Sequence, residues 1–425
     1  MASAYQYAGL GQTREEGLAV AESVRRIRHL AYTAERLMFL QAGHIISTPQ
    51  WDLKGLLARL QFENGQHADQ LKARLPELRV SRSVAYESFE TPLAVVFDEA
   101  MHAADTVELL AGLAGVLKPA LIEAYRRYLT EANGLADYTT LRLMRPMLAD
   151  EVESLRLLEA ACQDHVTTGE QRARAETWAN HLAGLLEAGG LIDGTGPVDR
   201  DRLKPDRAAR PYVIARQLRR DLTFPRVWDI LHVDKTQVHE RLAQMIATRL
   251  GEVTIAEALG FVLCETPDQP WMFYTDISRH LWDEMRHALF GEAASEDRYE
   301  DRGRMFLRDW EAAYLFKMTP LELYGLLRTV EAGLMKYPPG KREEFEFCRD
   351  TACYPLMRTF QDFDWADELF HCQIAHRRLK QWFQGSQQEL IALGEQGLKR
   401  RAEARTLHPP SPFGPVRPES EAIKP

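Results

Sequence analysis

The sequence predicts an all-α chain folded as two tandem four-helix bundles, the N-terminal one degenerate. Three observations predict it. Apolar residues recur at helical spacing through most of the 425 residues, and alternating β-branched runs are nearly absent. One pentapeptide pattern occurs twice, as Asp283-Glu284-Met285-Arg286-His287 and Asp367-Glu368-Leu369-Phe370-His371. The two halves of the chain also align as distant copies of each other.

Taken in order, the periodicity predicts helices over about 15–46, 51–74, 92–133, 137–163 and 168–188, then 236–264, 272–292, 302–316, 319–336 and 355–385. The breaks fall on turn chemistry: Ser47-Thr48-Pro49-Gln50, Gly189-Gly190, Thr266-Pro267-Asp268-Gln269-Pro270 and Tyr337-Pro338-Pro339-Gly340. Leu191 to Asp234 is rich in Gly, Pro, Asp and Arg and reads as a connection. From Leu407 the Pro-rich sequence reads as a loose tail. The expected domains are 1–190, a connection over 191–235, a second bundle over 236–390, and an extension over 391–425 that is disordered at its end.

The bulk numbers set the class. An apolar content of 45% and a charged content of 27% are those of a soluble globular protein, and the length calls for two domains. A net charge of −9 and a pI near 5.9 disfavour nucleic acid as the partner. No run of about 18 apolar residues is present, so no membrane span is expected. The N-terminal residues lack the basic and apolar regions of a signal peptide. Five scattered cysteines, an odd number, point to a reducing compartment, with the cytoplasm as the expected location.

Each copy of the pentapeptide places Glu and His three residues apart, on one helix face. A Glu-x-x-His from each of two helices, with one further Glu from each of two others, is the set that holds two iron or manganese ions in a four-helix bundle. The single-Glu helices follow from hairpin geometry and from the repeat. Both place Glu257 level with Glu284; Glu252 is the alternative, and Glu265 lies too close to the turn. Glu331, on an amphipathic helix with Leu323, Leu326, Leu327, Val330 and Leu334, is the partner of Glu368. The expected ligands are Glu257, Glu284, His287, Glu331, Glu368 and His371, with two Fe as the cofactor and Mn as the alternative metal. Four carboxylates largely offset two divalent cations in a low-dielectric interior, and one imidazole per ion leaves open positions. Asp283 and Asp367 are placed to accept from the far nitrogen of a ligating His. His280 and Asp364, one turn before each Glu, are extra ligands or neighbours of the ligands.

In the first half, Glu35, His67, Glu123 and Glu151 stand at the matching positions, but Asn64 replaces Glu284 and Ser154 replaces His371. The first bundle is therefore expected to be structural and the second to carry the chemistry. Trp282, Trp365, Tyr274, Cys264 and Cys372 flank the site and read as packing residues. The basic runs 216–220 and 399–401 read as solvated helix faces.

These motifs resemble those of the ferritin-like di-iron carboxylate superfamily. The doubled Asp-Glu-x-x-His is most similar to hydroxylase subunits of bacterial multicomponent monooxygenases, and the extra His to arylamine N-oxygenases. The likeness covers about Thr236 to Leu379 well and the first half faintly. It implies dioxygen activation at a di-iron centre, a small organic substrate that is hydroxylated or N-oxygenated, an electron donor such as a reductase or ferredoxin, and homodimerisation. It does not choose a substrate. A ferroxidase or iron-handling protein, and a scaffold with a vestigial metal site, are the alternatives.

Overall fold

The computed structural model describes residues 7–221, 223, 224, 226, 227, 234, 236–300, 307, 308 and 310–406. The chain forms two compact units. The first is Met1–Gln41 with Leu60–Val213, and the second is Ala42–Arg59 with Ile214–Pro425. The division thus differs from the expected one: the turn between the first two helices counts with the second unit. Most of the expected connection, Leu191 to Val213, counts with the first.

Eight helices come first: α1 (Val20–His44), α2 (Trp51–Arg74), α3 (Arg82–Tyr86), α4 (Leu93–Met101), α5 (Thr106–Gly112), α6 (Lys118–Glu131), α7 (Tyr138–His165) and α8 (Gly169–Ala188). The expected helix over 92–133 is broken once, at 102–105, and its second part, 106–131, carries a π-turn. The Asp105 carboxylate accepts from the backbone N–H of Val107 and Glu108, which starts α5 afresh. A π-turn at Leu113–Leu117 then precedes α6. Pro119 explains it, because its ring cannot donate to, and would clash with, the carbonyl four residues back. α8 starts on a capping box, Thr168 with Gln171. Within the first unit α6 packs on α7, and α5 packs on α7 and α8.

The second unit follows with α9 (Val238–Gly251), α10 (Val253–Cys264), α11 (Trp271–Tyr299), α12 (Ala312–Leu315), α13 (Pro320–Leu334), α14 (Lys341–Glu346), α15 (Pro355–Trp382) and α16 (Gln387–Thr406). The expected helix over 236–264 breaks at Glu252, which separates α9 from α10. Of the expected helix over 302–316, residues 302–306 and 309 lie outside the described residues. Residues 307 and 308 pair instead, in parallel, with 226 and 227 in a two-residue ladder. α13 starts on a second capping box, Thr319 with Glu322, with Pro320 at its first position. α9 and α10 both pack on α11, α11 on α15, α15 on α13, and α13 on α10, which closes a ring of four helical arms. Ile246, Leu259, Phe261, Ile277, Leu281 and Leu323 fill its core.

α16 occupies much of the expected extension, and residues 407–425, the expected disordered end, lie outside the described residues. Its two glycines explain it. A Cβ on Gly394 would meet Thr329 Oγ1 at 2.0 Å, and one on Gly397 would meet Leu326 Cβ at 2.8 Å. Residues that weaken an isolated helix here let it lie flush on α13, so tertiary contact overrides propensity. Among the described residues no helix is long and apolar enough to cross a membrane.

Candidate metal centre

The helical ring turns one stripe of α11 and one of α15 inward. α11 carries His280, Asp283, Glu284 and His287, and α15 carries Asp364, Asp367, Glu368 and His371. All eight are buried. α13 adds Glu331, and the break between α9 and α10 adds Glu252.

Two groups of ligand atoms result, each converging within 4.8 Å: His280, Glu284, Glu331 and His371 in one, Glu252, His287, Asp364 and Glu368 in the other. We call them site A and site B. Each takes one His from a Glu-x-x-His motif, one Glu from that motif's partner, one single Glu, and the residue one turn before a motif Glu. In site A, His280 Nε2 lies 3.2 Å from Glu284 Oε1 and 3.1 Å from Glu331 Oε1, and His371 Nδ1 lies 3.4 Å from Glu284 Oε1. In site B, His287 Nδ1 lies 3.4 Å from both Glu252 Oε2 and Asp364 Oδ1. Glu284 faces both sites, with its other oxygen 3.9 Å from His287 Nδ1.

Five of the six expected ligands are thus brought together, and Glu257 is not. Its buried carboxylate accepts from the Lys54 ammonium and the Arg220 guanidinium, which satisfy it as an ion pair away from the cluster. Glu252 stands in its place. His280 and Asp364 both join the groups rather than standing beside them. The two aspartates are placed crosswise: His371 Nε2 lies 3.3 Å from Asp283, and His287 Nε2 lies 3.3 Å from Asp367. Each motif's Asp therefore holds the other motif's His. With Nε2–H donating to the aspartate, Nδ1 is the ring nitrogen that faces the cluster and, once its proton is displaced, offers its lone pair there. Arg286 ties the two aspartates together, donating to Asp283 and, at 2.7 Å, to Asp367.

The electrostatics favour cations. Burial disfavours charge on His287, but Asp364, Asp367 and Glu252 outweigh it and raise its pKa to about 10. Burial likewise opposes, and Asp283 and Glu284 override, on His371, whose pKa is raised well above the ordinary value. Burial raises the carboxyls of Glu331 and Glu368, the latter further through Glu284 and Asp364. The negative charge is more than this dry interior holds without a counter-charge.

Two residues with no motif to announce them supply part of it in site B. Lys341 donates to both oxygens of Asp364, at 2.9 and 2.8 Å, and lies 2.9 Å from Glu368 Oε1. Arg249 pairs with Asp364 and, at 3.0 Å, with Glu252. Tyr274 donates to the Thr266 carbonyl at 2.9 Å, which makes it a pin of the turn. Trp365 packs near Phe345, and none of the five cysteines is disulfide-bonded.

Whether the donor set fits two metal ions can be judged from the atoms left without a hydrogen bond. Glu252 Oε2, His280 Nδ1, His287 Nδ1, Glu331 Oε2, Glu368 Oε2 and His371 Nδ1 are all buried and unbonded. Buried polar atoms without a partner also occur elsewhere in the chain, but here five of the six, all but His280 Nδ1, belong to ligand-type groups of the two converging sets. The donor set could hold metal ions.

In the first unit the matching positions hold a different arrangement. Lys118, fully buried, donates to Glu151 at 2.5 Å and to Asn64 at 3.2 Å, and His67 lies 3.1 Å from Glu151. Glu123 is exposed, and Glu35 pairs with Lys72 at 2.8 Å. Among the described residues both groups of converging ligand atoms fall in the second unit. No protein-family model, no curated protein and no solved structure matches this chain; the functional reading rests on its own residues.

Proposed function

We propose that the second unit is a ferritin-like bundle holding a non-haem di-iron centre, and that the protein is a dioxygen-dependent oxygenase or oxidase of the cytoplasm. The observation that carries this is the pair of four-residue sites in one core, with Glu284 of the first facing His287 of the second and with unbonded ligand atoms in both. Site A would hold one ion through His280, Glu284, Glu331 and His371. Site B would hold the other through Glu252, His287, Asp364 and Glu368. A bound iron pair supplies reducing electrons to dioxygen, and so the oxidation of a small organic molecule by hydroxylation or N-oxygenation.

The chain's own residues set the conditions. Asp283 and Asp367 fix the tautomer of both motif histidines. Arg286 balances the charge of those aspartates. Burial keeps bulk water from the carboxylates, which strengthens their hold on cations. An electron donor, a reductase or ferredoxin, is the partner this chemistry requires.

The test is equilibrium loading with ferrous iron under anaerobic conditions, then oxygen uptake on exposure to air. About two iron per chain and rapid oxygen consumption are expected. Less than about one iron per chain removes the reading. Iron turnover with retained mineral and no organic oxidation favours the iron-handling alternative.

A further inference from the structure

The two sites are built with different resident charges. An ammonium has three N–H donors, and those of Lys341 face three carboxylate oxygens of site B, two on Asp364 and one on Glu368. Arg249 adds a second cation beside Asp364 and Glu252. Site A has no counterpart: among the described residues no Lys or Arg pairs with Glu284 or Glu331, whose oxygens face His280 and His371. The first unit shows the limiting case, where Lys118 stands among Asn64, His67 and Glu151 as the cation of the whole cluster.

We infer that the two sites load in order: site A takes the first divalent ion, and Lys341 holds site B as a built-in cation that the second ion must displace. This rests on the di-metal reading above and deepens it. An ion entering site B meets oxygens of Asp364 and Glu368 already engaged, and a like charge about 3 Å from those oxygens. An ion entering site A meets two carboxylates and two imidazoles, whose protons it can displace, with no Lys or Arg paired to those carboxylates among the described residues. Lys341 opens α14 immediately after Gly340, on the connection from α13 to α15. Its withdrawal therefore concerns one side chain at a helix start and leaves the α11 and α15 ligand stripes in place.

The probe is Co(II) alone, titrated anaerobically into the full chain, with bound metal counted by equilibrium dialysis and ligand field read by visible absorption. The wild type is expected to bind one Co(II) tightly and a second at least about tenfold more weakly. Lys341→Met is expected to close that gap by tightening the second site. Glu331→Gln is expected to remove the tight ion, and Glu252→Gln to leave it; both readings are made in the presence of Lys341, so the inference stands or falls even where Lys341→Met does not fold. Two equally tight ions in the wild type, or loss of the tight ion in Glu252→Gln, overturns the ordered loading and leaves the di-metal reading intact. No tight Co(II) at all overturns both.

Discussion

Glu257→Gln separates a structural carboxylate from a metal ligand. Glu257 is fully buried and neutralises two cations that are themselves almost fully buried, Lys54 and Arg220. Glutamine keeps the shape and one acceptor but leaves two cations without a counter-ion, and breaking a buried ion pair in this way costs about 3–5 kcal/mol. The cost also has a pH signature. Burial lowers the Lys54 pKa from 10.5 to about 8, while Glu257 pulls it upward. A lysine with a depressed pKa contributes fully above its unfolded value, and that contribution is lost as pH falls through the folded one. Removing Glu257 lowers the folded value further and extends the window downward, its upper end staying at the unfolded value of 10.5. The variant is therefore expected to be weakest near pH 6 and to recover stability toward pH 9, where Lys54 is neutral. The assay is urea unfolding followed by tryptophan fluorescence. That signal reports mainly the second unit, because Trp178 alone of the eight tryptophans belongs to the first. Iron stoichiometry of the folded variant should equal that of the wild type. Wild-type stability with the loss of one iron refutes the reasoning and makes Glu257 a ligand.

Two further outcomes follow from the packing. Lys118→Met, which strands Glu151 in the first unit, should destabilise that unit by about 3–5 kcal/mol; Lys118→Met with Glu151→Met should recover most of it, measured by hydrogen exchange across α6 and α7. Gly291→Ala should cost about 1–3 kcal/mol and weaken metal binding at site B, because its Cβ would stand 2.5 Å from the Leu250 backbone nitrogen on α9, two residues before Glu252. Unchanged thermal stability and Co(II) affinity would show that α9 gives way without disturbing Glu252.

How far the sequence could be read depended on whether a residue belonged to a local period. The all-helical class was legible, and so were the α11 and α15 ligand stripes, because Glu-x-x-His and the residue one turn earlier are set by helical geometry alone. Glu331 was legible from the apolar face of α13. Glu252 was a matter of register across a turn. It stands fourteen residues before Thr266, as Glu284 stands fourteen after Pro270, so equal spacing selects it. The hairpin register, taken too loosely, and the repeat both led to Glu257, the repeat because its counterpart Glu35 is likewise a carboxylate; both prove to be ion-paired. The break at Glu252 was hidden because nothing local forces it. Lys341 and Arg249 carried no signal, since a cation is drawn into a carboxylate cluster by long-range contact. The same holds for α16, which no expected helix covered and whose Gly394 and Gly397 are accounted for only by Thr329 and Leu326 against them.

Anomalous diffraction at the iron edge, from crystals loaded with ferrous iron without oxygen, tests the central claim most directly. Two peaks are expected in the second unit, one among His280, Glu284, Glu331 and His371 and a second among Glu252, His287, Asp364 and Glu368, with the first filling at lower iron. Absence of a peak between α11 and α15 at saturating iron, or a peak at Glu257 instead, would contradict that claim.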